Sequence, residues 1–189
     1  MPSHIEIRFV SNNVHKIAEA KTILGQRSIS VLESKLKIEE LQTTDTPRLV
    51  HDKLLKAYRM IGRPLFVEHT GLYLAYLGGL PGGLTQIFWD TLQADRFAEL
   101  FGKTPNNDAT ARTSIAYCDG RKVYEFEGEI TGHITAPPRG PRDFQWDCVF
   151  QPTGYTETFA EMGDKKNDIS MRRIALEKMA SHLAKDLSP

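Results

Sequence analysis

Residues 5–25 read Ile-Glu-Ile-Arg-Phe-Val-Ser-Asn-Asn-Val-His-Lys-Ile-Ala-Glu-Ala-Lys-Thr-Ile-Leu-Gly. A β-prone run around Ile5, Arg8, Phe9 and Val10 ends at the polar triplet Ser11-Asn12-Asn13. Val14, Ile17, Ala18, Ala20, Lys21 and Leu24 then recur at helical spacing, and Gly25 supplies a stop. Strand, polar turn and helix make a first unit. A second extended piece covers about Ile29 to Leu32. Pro47 suits the first turn of a second helix, capped by Asp45 or Thr46 and running through Leu49, Leu54 and Ala57 to Gly62. Leu65-Phe66-Val67 reads as a buried strand, broken by Glu68-His69-Thr70-Gly71 and resumed by Leu72-Tyr73-Leu74. A glycine-rich loop from Leu77 to Gly83 precedes a helix from about Leu84 to Phe101 and a polar turn from Thr104 to Asp108. Thr113 to Cys118 and Lys122 to Ile130 flank Asp119-Gly120, a hairpin signal because both central positions of such a turn favour positive φ. Thr135 to Asp143 carries three prolines and Gly140 and predicts a loop, Val149-Phe150 is short and apolar, and a helix starts at Ser170 and runs to the end. The order β-α-β-α-β followed by a hairpin predicts a mixed α/β sheet rather than a doubly wound one.

Composition narrows the class. At 189 residues the chain predicts one large domain or two intimate lobes, since domains average about 150 residues. Hydrophobic residues make up 40% and charged residues 25%, which argues against disorder and fibrous folds. Lys and Arg number 24 against 24 Asp and Glu, so the overall surplus of positive charge that coats a nucleic-acid polymer is absent. Cys118 and Cys148 form neither a disulfide framework nor a zinc motif. His4, Glu6 and Arg8 interrupt the apolar stretch of Met1 to Val10, which excludes a signal peptide reading, and no apolar run approaches the ~20 residues of a membrane span. A cytoplasmic globular protein, metal-free or using a hard metal, is the expectation.

Four places carry candidate chemistry, each with a plainer reading beside it. Ser11-Asn12-Asn13 with Lys16 lies where a strand feeds a helix: free amides and a lysine one turn in suit an anion, whereas Asn12 or Asn13 can simply cap the helix. Glu40 and Glu68, each near the end of an apolar segment, suit Mg²⁺ shared with substrate phosphates, or are solvated acids. His69 is a base near neutral pH or a polar turn residue. Phe144 and Trp146 beside Asp147 offer ring faces and a carboxylate for a nucleobase, or fill core. Lys165-Lys166-Asn167 with Ser170, Arg172 and Arg173 gathers cations at the start of the last helix, for phosphate or base, or for solvent.

The order of these pieces resembles the inosine triphosphatase family, pyrophosphatases acting on non-standard purine nucleoside triphosphates. The resemblance runs from Phe9 to about Ala180. It rests on Phe-Val-Ser-Asn-Asn with Lys16 and Glu19, Val-Glu-His-Thr-Gly-Leu at 67–72, Leu-Gly-Gly-Leu-Pro-Gly at 77–82, Phe-Glu-Gly-Glu at 126–129, Phe-Gln-Trp-Asp at 144–147, Phe-Ala-Glu-Met at 159–162, and Lys-Asn at 166–167 ending in Ser-Met-Arg at 170–172. What it implies is a two-lobed α/β fold, a long twisted mixed sheet flanked by helices with a central cleft, acting as a single domain over 1–189. It also implies a homodimer that uses Mg²⁺ to convert ITP, dITP or XTP to monophosphate and pyrophosphate. By position, Ser11, Asn13, Lys16 and Lys53 would hold phosphates, and Glu40 and Glu68 the metal. Phe144, Trp146, Asp147, Lys166, Met171 and Arg172 would serve the base, with Lys166 and Arg172 contacting base or phosphates.

Departures fall inside the implied site. Where the family carries Asp after the metal-binding Glu, this chain has His69, a proton acceptor without charge and a poor partner for a hard cation. Met171 replaces a histidine and removes a hydrogen-bonding group. Gln145 and Cys148 replace a glycine and a proline around Trp146-Asp147, and Arg48 lies near where relatives carry an acid. Two expectations follow: a pyrophosphatase with shifted base or metal preference, Mn²⁺ over Mg²⁺, in which His69 and Lys16 carry catalysis, or a nucleotide-binding homologue that hydrolyses poorly.

Overall fold

A computed structural model describes residues 5–185. The expectations for residues 1–4 and for the last residues of the terminal helix, 186–189, lie outside the described residues. Six strands form one sheet in the order β2-β1-β3-β4-β5-β6: β1 (Ile5–Val10), β2 (Ile29–Ser34), β3 (Leu65–Leu74), β4 (Asp108–Cys118), β5 (Val123–Ile134) and β6 (Phe150–Pro152). The sheet is mixed, as the element order predicts: β1 runs parallel to β2 and β3, and the remaining pairs are antiparallel.

The helices begin and end where capping chemistry puts them. Asn13 caps α1 (Val14–Gly25). Asp45 caps α2 (Thr46–Ile61) by accepting from the Arg48 amide at 3.1 Å, and Gly62 ends it at φ +64°. α3 (Thr85–Phe101) is interrupted at Gln93 (φ 56°), whose side-chain amide donates to the Asp90 carbonyl at 2.9 Å. A four-residue α4 (Phe159–Met162), which the apolar spacing does not announce, sits in a capping box between Thr158 and Glu161. α5 (Met171–Lys185) starts after Ser170, whose hydroxyl accepts from the Arg173 amide.

Two readings of the sequence are corrected. The expected break at Glu68-His69-Thr70-Gly71 does not occur: β3 is continuous and pairs with β4 at every position from Leu65↔Cys118 to Leu74↔Ala109. Polar residues persist inside this strand because the long neighbouring strand satisfies its backbone, and cations meet its one acid, Glu68. The hairpin between β4 and β5 turns through residues 119–122 rather than two residues. Of these only Gly120 has positive φ, while the Asp119 carboxylate accepts from the Arg121 and Lys122 amides.

Strand alternation sorts the core into layers. Phe9, Phe66, Ile115 and Tyr117 pack with Ile17, Ile23, Leu176 and Met179 of α1 and α5. Their alternates Val10, Leu65, Val67, Ala116 and Cys118 pack with Leu49, Leu54 and Ala57 of α2. A third cluster joins the far ends of β3, β4 and β5 to Trp89, Phe97 and Phe101 of α3 and to Trp146, Phe150 and Phe159. Because β1 pairs with β3 only at Arg8↔Leu65 and Phe9↔Phe66, β3 runs on past the carboxyl end of β1. The gap there lies between helices covering opposite faces, a position where α/β sheets gather ligands.

Candidate active site

The period of two along β3 decides which helices each polar residue meets. Glu68 shares the face of Phe66 and meets α1 and α5; His69, on the opposite face, meets the segment before α2. Arg172 grips Glu68 with two donors, Nε to Oε2 at 2.7 Å and Nη2 to Oε1 at 3.1 Å, and Lys16 Nζ lies 3.0 Å from Oε1. Glu68 is buried. Burial alone would raise its carboxyl, yet Arg172 and then Lys16 outweigh that and hold it well below the usual carboxylate range. Burial likewise lowers the Lys16 ammonium, which Glu68 only partly restores.

On the other face, Lys53 Nζ donates to Glu40 Oε1 at 2.6 Å and to the Glu68 carbonyl at 3.1 Å. His69 Nδ1 lies 3.5 Å from Glu40 Oε2. Burial would raise the Glu40 carboxyl, but His69 and Lys53 hold it well below the usual range. Burial lowers the His69 imidazole more than Glu40 restores it, so the ring is neutral at pH 7, and its buried Nε2 has no hydrogen-bond partner among the described residues.

Charge continues toward the aromatic loop. Arg172 also pairs with Glu19, Glu19 accepts from Lys166 Nζ at 2.9 Å, and Lys166 donates to Asp147 Oδ2 at 2.6 Å. Burial raises the Asp147 carboxyl despite Lys166. Lys166 Nζ stands 4.3 Å from the centre of the Phe144 ring, which also stacks on His15 at 4.7 Å. Glu19 is the residue sequence reasoning left without a role. It lies three positions after Lys16, hence on the same helix face, and that spacing was the available signal.

Most of the sequence-derived candidates converge. Ser11, Asn13, Lys16, Glu40 and Lys53 line one cavity of about 200 Å³ past the end of β1. Asn13 is a cap as well, its Oδ1 accepting from the His15 and Lys16 amides at 3.0 and 3.1 Å. Lys16, Glu40 and His69 line a second cavity of about 170 Å³ with Thr70. Trp146 and Met171 lie elsewhere, buried in the apolar cluster with Phe150 and Phe159.

Glu68 has both oxygens engaged by cations, whereas Glu40 sits at the wall of both cavities. Among the described residues no group of three His, Cys, Asp or Glu side chains is placed to hold an ion alone. Lys16, Lys53, Lys166 and Arg172 are moreover matched by Glu19, Glu40, Glu68 and Asp147, so little uncompensated positive charge awaits a polyphosphate. Such a donor set fits a hard divalent ion that brings its remaining coordination from phosphate and water.

A mixed six-stranded sheet with paired cations and acids around adjoining cavities past the end of β1 defines an open-sheet α/β protein with a charged cleft. The chain belongs to the Ham1 family, whose model matches residues 7–182. It is 39% identical over 183 residues to the inosine triphosphate pyrophosphatase of Yarrowia lipolytica, covering 95% of this chain and 96% of that one. It is 33% identical to the dITP/XTP pyrophosphatase of Methanopyrus kandleri, over 93% and 95% of the two chains. The HAM1 protein of Coxiella burnetii superposes with a TM-score of 0.79 at 25% identity, covering 96% of this chain and 99% of that one. The Ham1 protein of Staphylococcus aureus gives 0.75 at 22% identity and the same coverage, which bears on the fold alone.

Proposed function

We propose that this protein is a nucleoside triphosphate pyrophosphatase acting on non-standard purine nucleotides such as ITP, dITP and XTP, the chain working as a single domain. The observation that carries the reading is the convergence of Lys16, Lys53, Glu40 and neutral His69 on adjoining cavities past the end of β1, in a member of a family whose similar relatives carry those activities in their names. Lys16 and Lys53, with the hydroxyl of Ser11 and the amide of Asn13, hold the phosphates. Glu40 supplies the protein's oxygen to a divalent ion, Mg²⁺ or Mn²⁺. That ion, when bound, neutralises phosphate charge. Glu68 acts chiefly by holding Lys16 and Arg172, and reaches a metal only by releasing one of them.

Hydrolysis then needs a base. Water oxygen bonds to the α-phosphorus, the bond to the bridging oxygen toward the β-phosphorus breaks, and pyrophosphate leaves with that electron pair. The water proton passes to His69 Nε2, the unengaged nitrogen of a neutral ring whose other nitrogen faces Glu40, and this requires the bound nucleotide to open the buried Nε2 to the water. A positioned base contributes about 10²–10⁴ in rate. Phe144 offers its ring to the purine in place of His15, which stacks on it in the free protein, with Lys166, Asp147 and Arg172 behind it; Trp146 and Met171 support that loop from the core. A cytoplasmic homodimer belongs to the same proposal. Among the described residues no helix is long and apolar enough to cross a membrane.

The deciding experiment is pyrophosphate release over ITP, dITP, XTP, GTP and ATP with Mg²⁺, Mn²⁺ or chelator. Release from the oxopurine triphosphates ahead of ATP, dependent on the divalent ion, is expected; no release from any of them sinks the reading. Nucleotide binding without turnover favours the second reading, a binding homologue, for which the specific observation is a histidine at position 69 where the resemblance implies an aspartate.

A further inference from the structure

The two cavities share Lys16, Glu40, Gln86 and Gln145; beyond these, Ser11 and Lys53 face the first and Gln42 and His69 the second. At about 200 and 170 Å³ each falls below the roughly 300 Å³ at the lower end of small-molecule pockets, and joined they pass it. A side-chain hydrogen bond stands at this junction: Gln145 Nε2 donates to Gln86 Oε1. The acceptor is oriented from behind, since Gln86 Nε2 donates to Asp90 Oδ1 at 2.7 Å. Gln86 lies in the first turn of α3, and Gln145 opens the turn that carries Trp146 and Asp147, so the bond ties the aromatic loop to a helix 59 positions away.

The backbone marks Gln145 as well. Its φ of +44° is a left-handed conformation that residues with side chains seldom adopt and glycine adopts freely. A side chain is thus carried where the backbone favours none, and it reaches across the cleft. The bond is exposed and joins two neutral amides, which makes it weak enough to open thermally.

We propose that Gln145 and Gln86 form a latch dividing the cleft, which parts to admit a purine nucleoside triphosphate, recloses, and so sets the rate of nucleotide exchange. This rests on the reading of the cleft as the triphosphate site. The test is stopped-flow binding and release of an α,β-methylene analogue of ITP, followed by tryptophan fluorescence. Wild type, Gln145→Gly, Gln86→Ala and the double variant are compared. Gln145→Gly keeps the loop conformation, because glycine accepts the same φ.

Each single variant is expected to raise both rate constants about threefold to tenfold, with Kd nearly unchanged. The double variant should be no faster than the singles, because both remove one bond. Wild-type rates in the variants, or accelerations that multiply, overturn the latch while leaving the proposed function standing. A wild type that fails to bind the analogue overturns the proposed function and the exchange role together. Urea midpoints of the same four proteins give a readout that needs no nucleotide: absence of coupling between the two positions overturns the latch by itself.

Discussion

Arg172 is the residue on which the site's electrostatics depend. Its guanidinium is buried, and it holds two carboxylates, Glu68 and Glu19, from different elements. Removing one partner of a buried ion pair strands the other charge, so Arg172→Met is expected to cost about 3–5 kcal/mol in urea unfolding. Arg172→Lys should fall between, because an ammonium keeps the charge and loses the two-donor fork. A cost below about 1 kcal/mol for the methionine variant would show that Glu68 finds water or another cation instead. His69 gives a second test. Its neutral ring now lies beside the Glu40 carboxylate, and an aspartate there would place two negative groups together. His69→Asp should therefore lower the thermal midpoint without divalent ions and show a larger midpoint rise with Mg²⁺ than wild type does. Equal responses to Mg²⁺ would separate position 69 from the ion. The sequence offers Glu68 as a metal ligand and His69 as a base; it does not show their different partners, because strand alternation sends them to opposite faces of the sheet.

Elements set the positions of these side chains through a few close backbone approaches. Thr85, at the start of α3, accepts from the Leu72 amide at 2.8 Å and donates to the Gly82 carbonyl at 2.6 Å, fastening the glycine-rich turn to β3. Gly128 of β5 lies under the first turn of α5: a Cβ there would overlap the Met171 carbonyl oxygen and fall 2.6 Å from the Ala175 nitrogen. Gly128→Ala should push the start of α5 off the sheet. A stability loss of about 1–3 kcal/mol is expected, together with a raised KM, because Arg172 rides on the same turn. A variant that loses stability with KM unchanged would mean that the helix shifts as a unit without moving Arg172. Helix boundaries were legible from local chemistry, as Asp45, Gly62 and Ser170 show. The unbroken β3 was not, because its polar middle is sustained by β4 and by cations distant in the chain.

For the whole molecule, the depressed carboxyls predict how stability depends on pH. Glu68 and Glu40 titrate below the usual range near 4 when folded, so the unfolded chain binds more protons as acid is added. Their contribution is complete above the unfolded values and is lost as pH falls through the folded ones. Urea midpoints measured from pH 7 downward should fall increasingly steeply below about pH 4, and Glu68→Gln should be less sensitive there than wild type; a flat wild-type profile would show that these ion pairs add nothing to the fold. The amino-acid order alone determined the strand-turn-helix units, the helix caps, the mixed sheet and the set of charged residues, because spacing and capping act within a few positions along the chain. Tertiary structure alone decided that Arg172 meets Glu68 across 104 positions and Glu19 across 153, that Trp146 joins the core while Phe144 meets His15, and that Gln145 reaches Gln86. A buried charge takes whichever opposite charge the packed helices and sheet bring within reach, and local spacing carries no record of that distance.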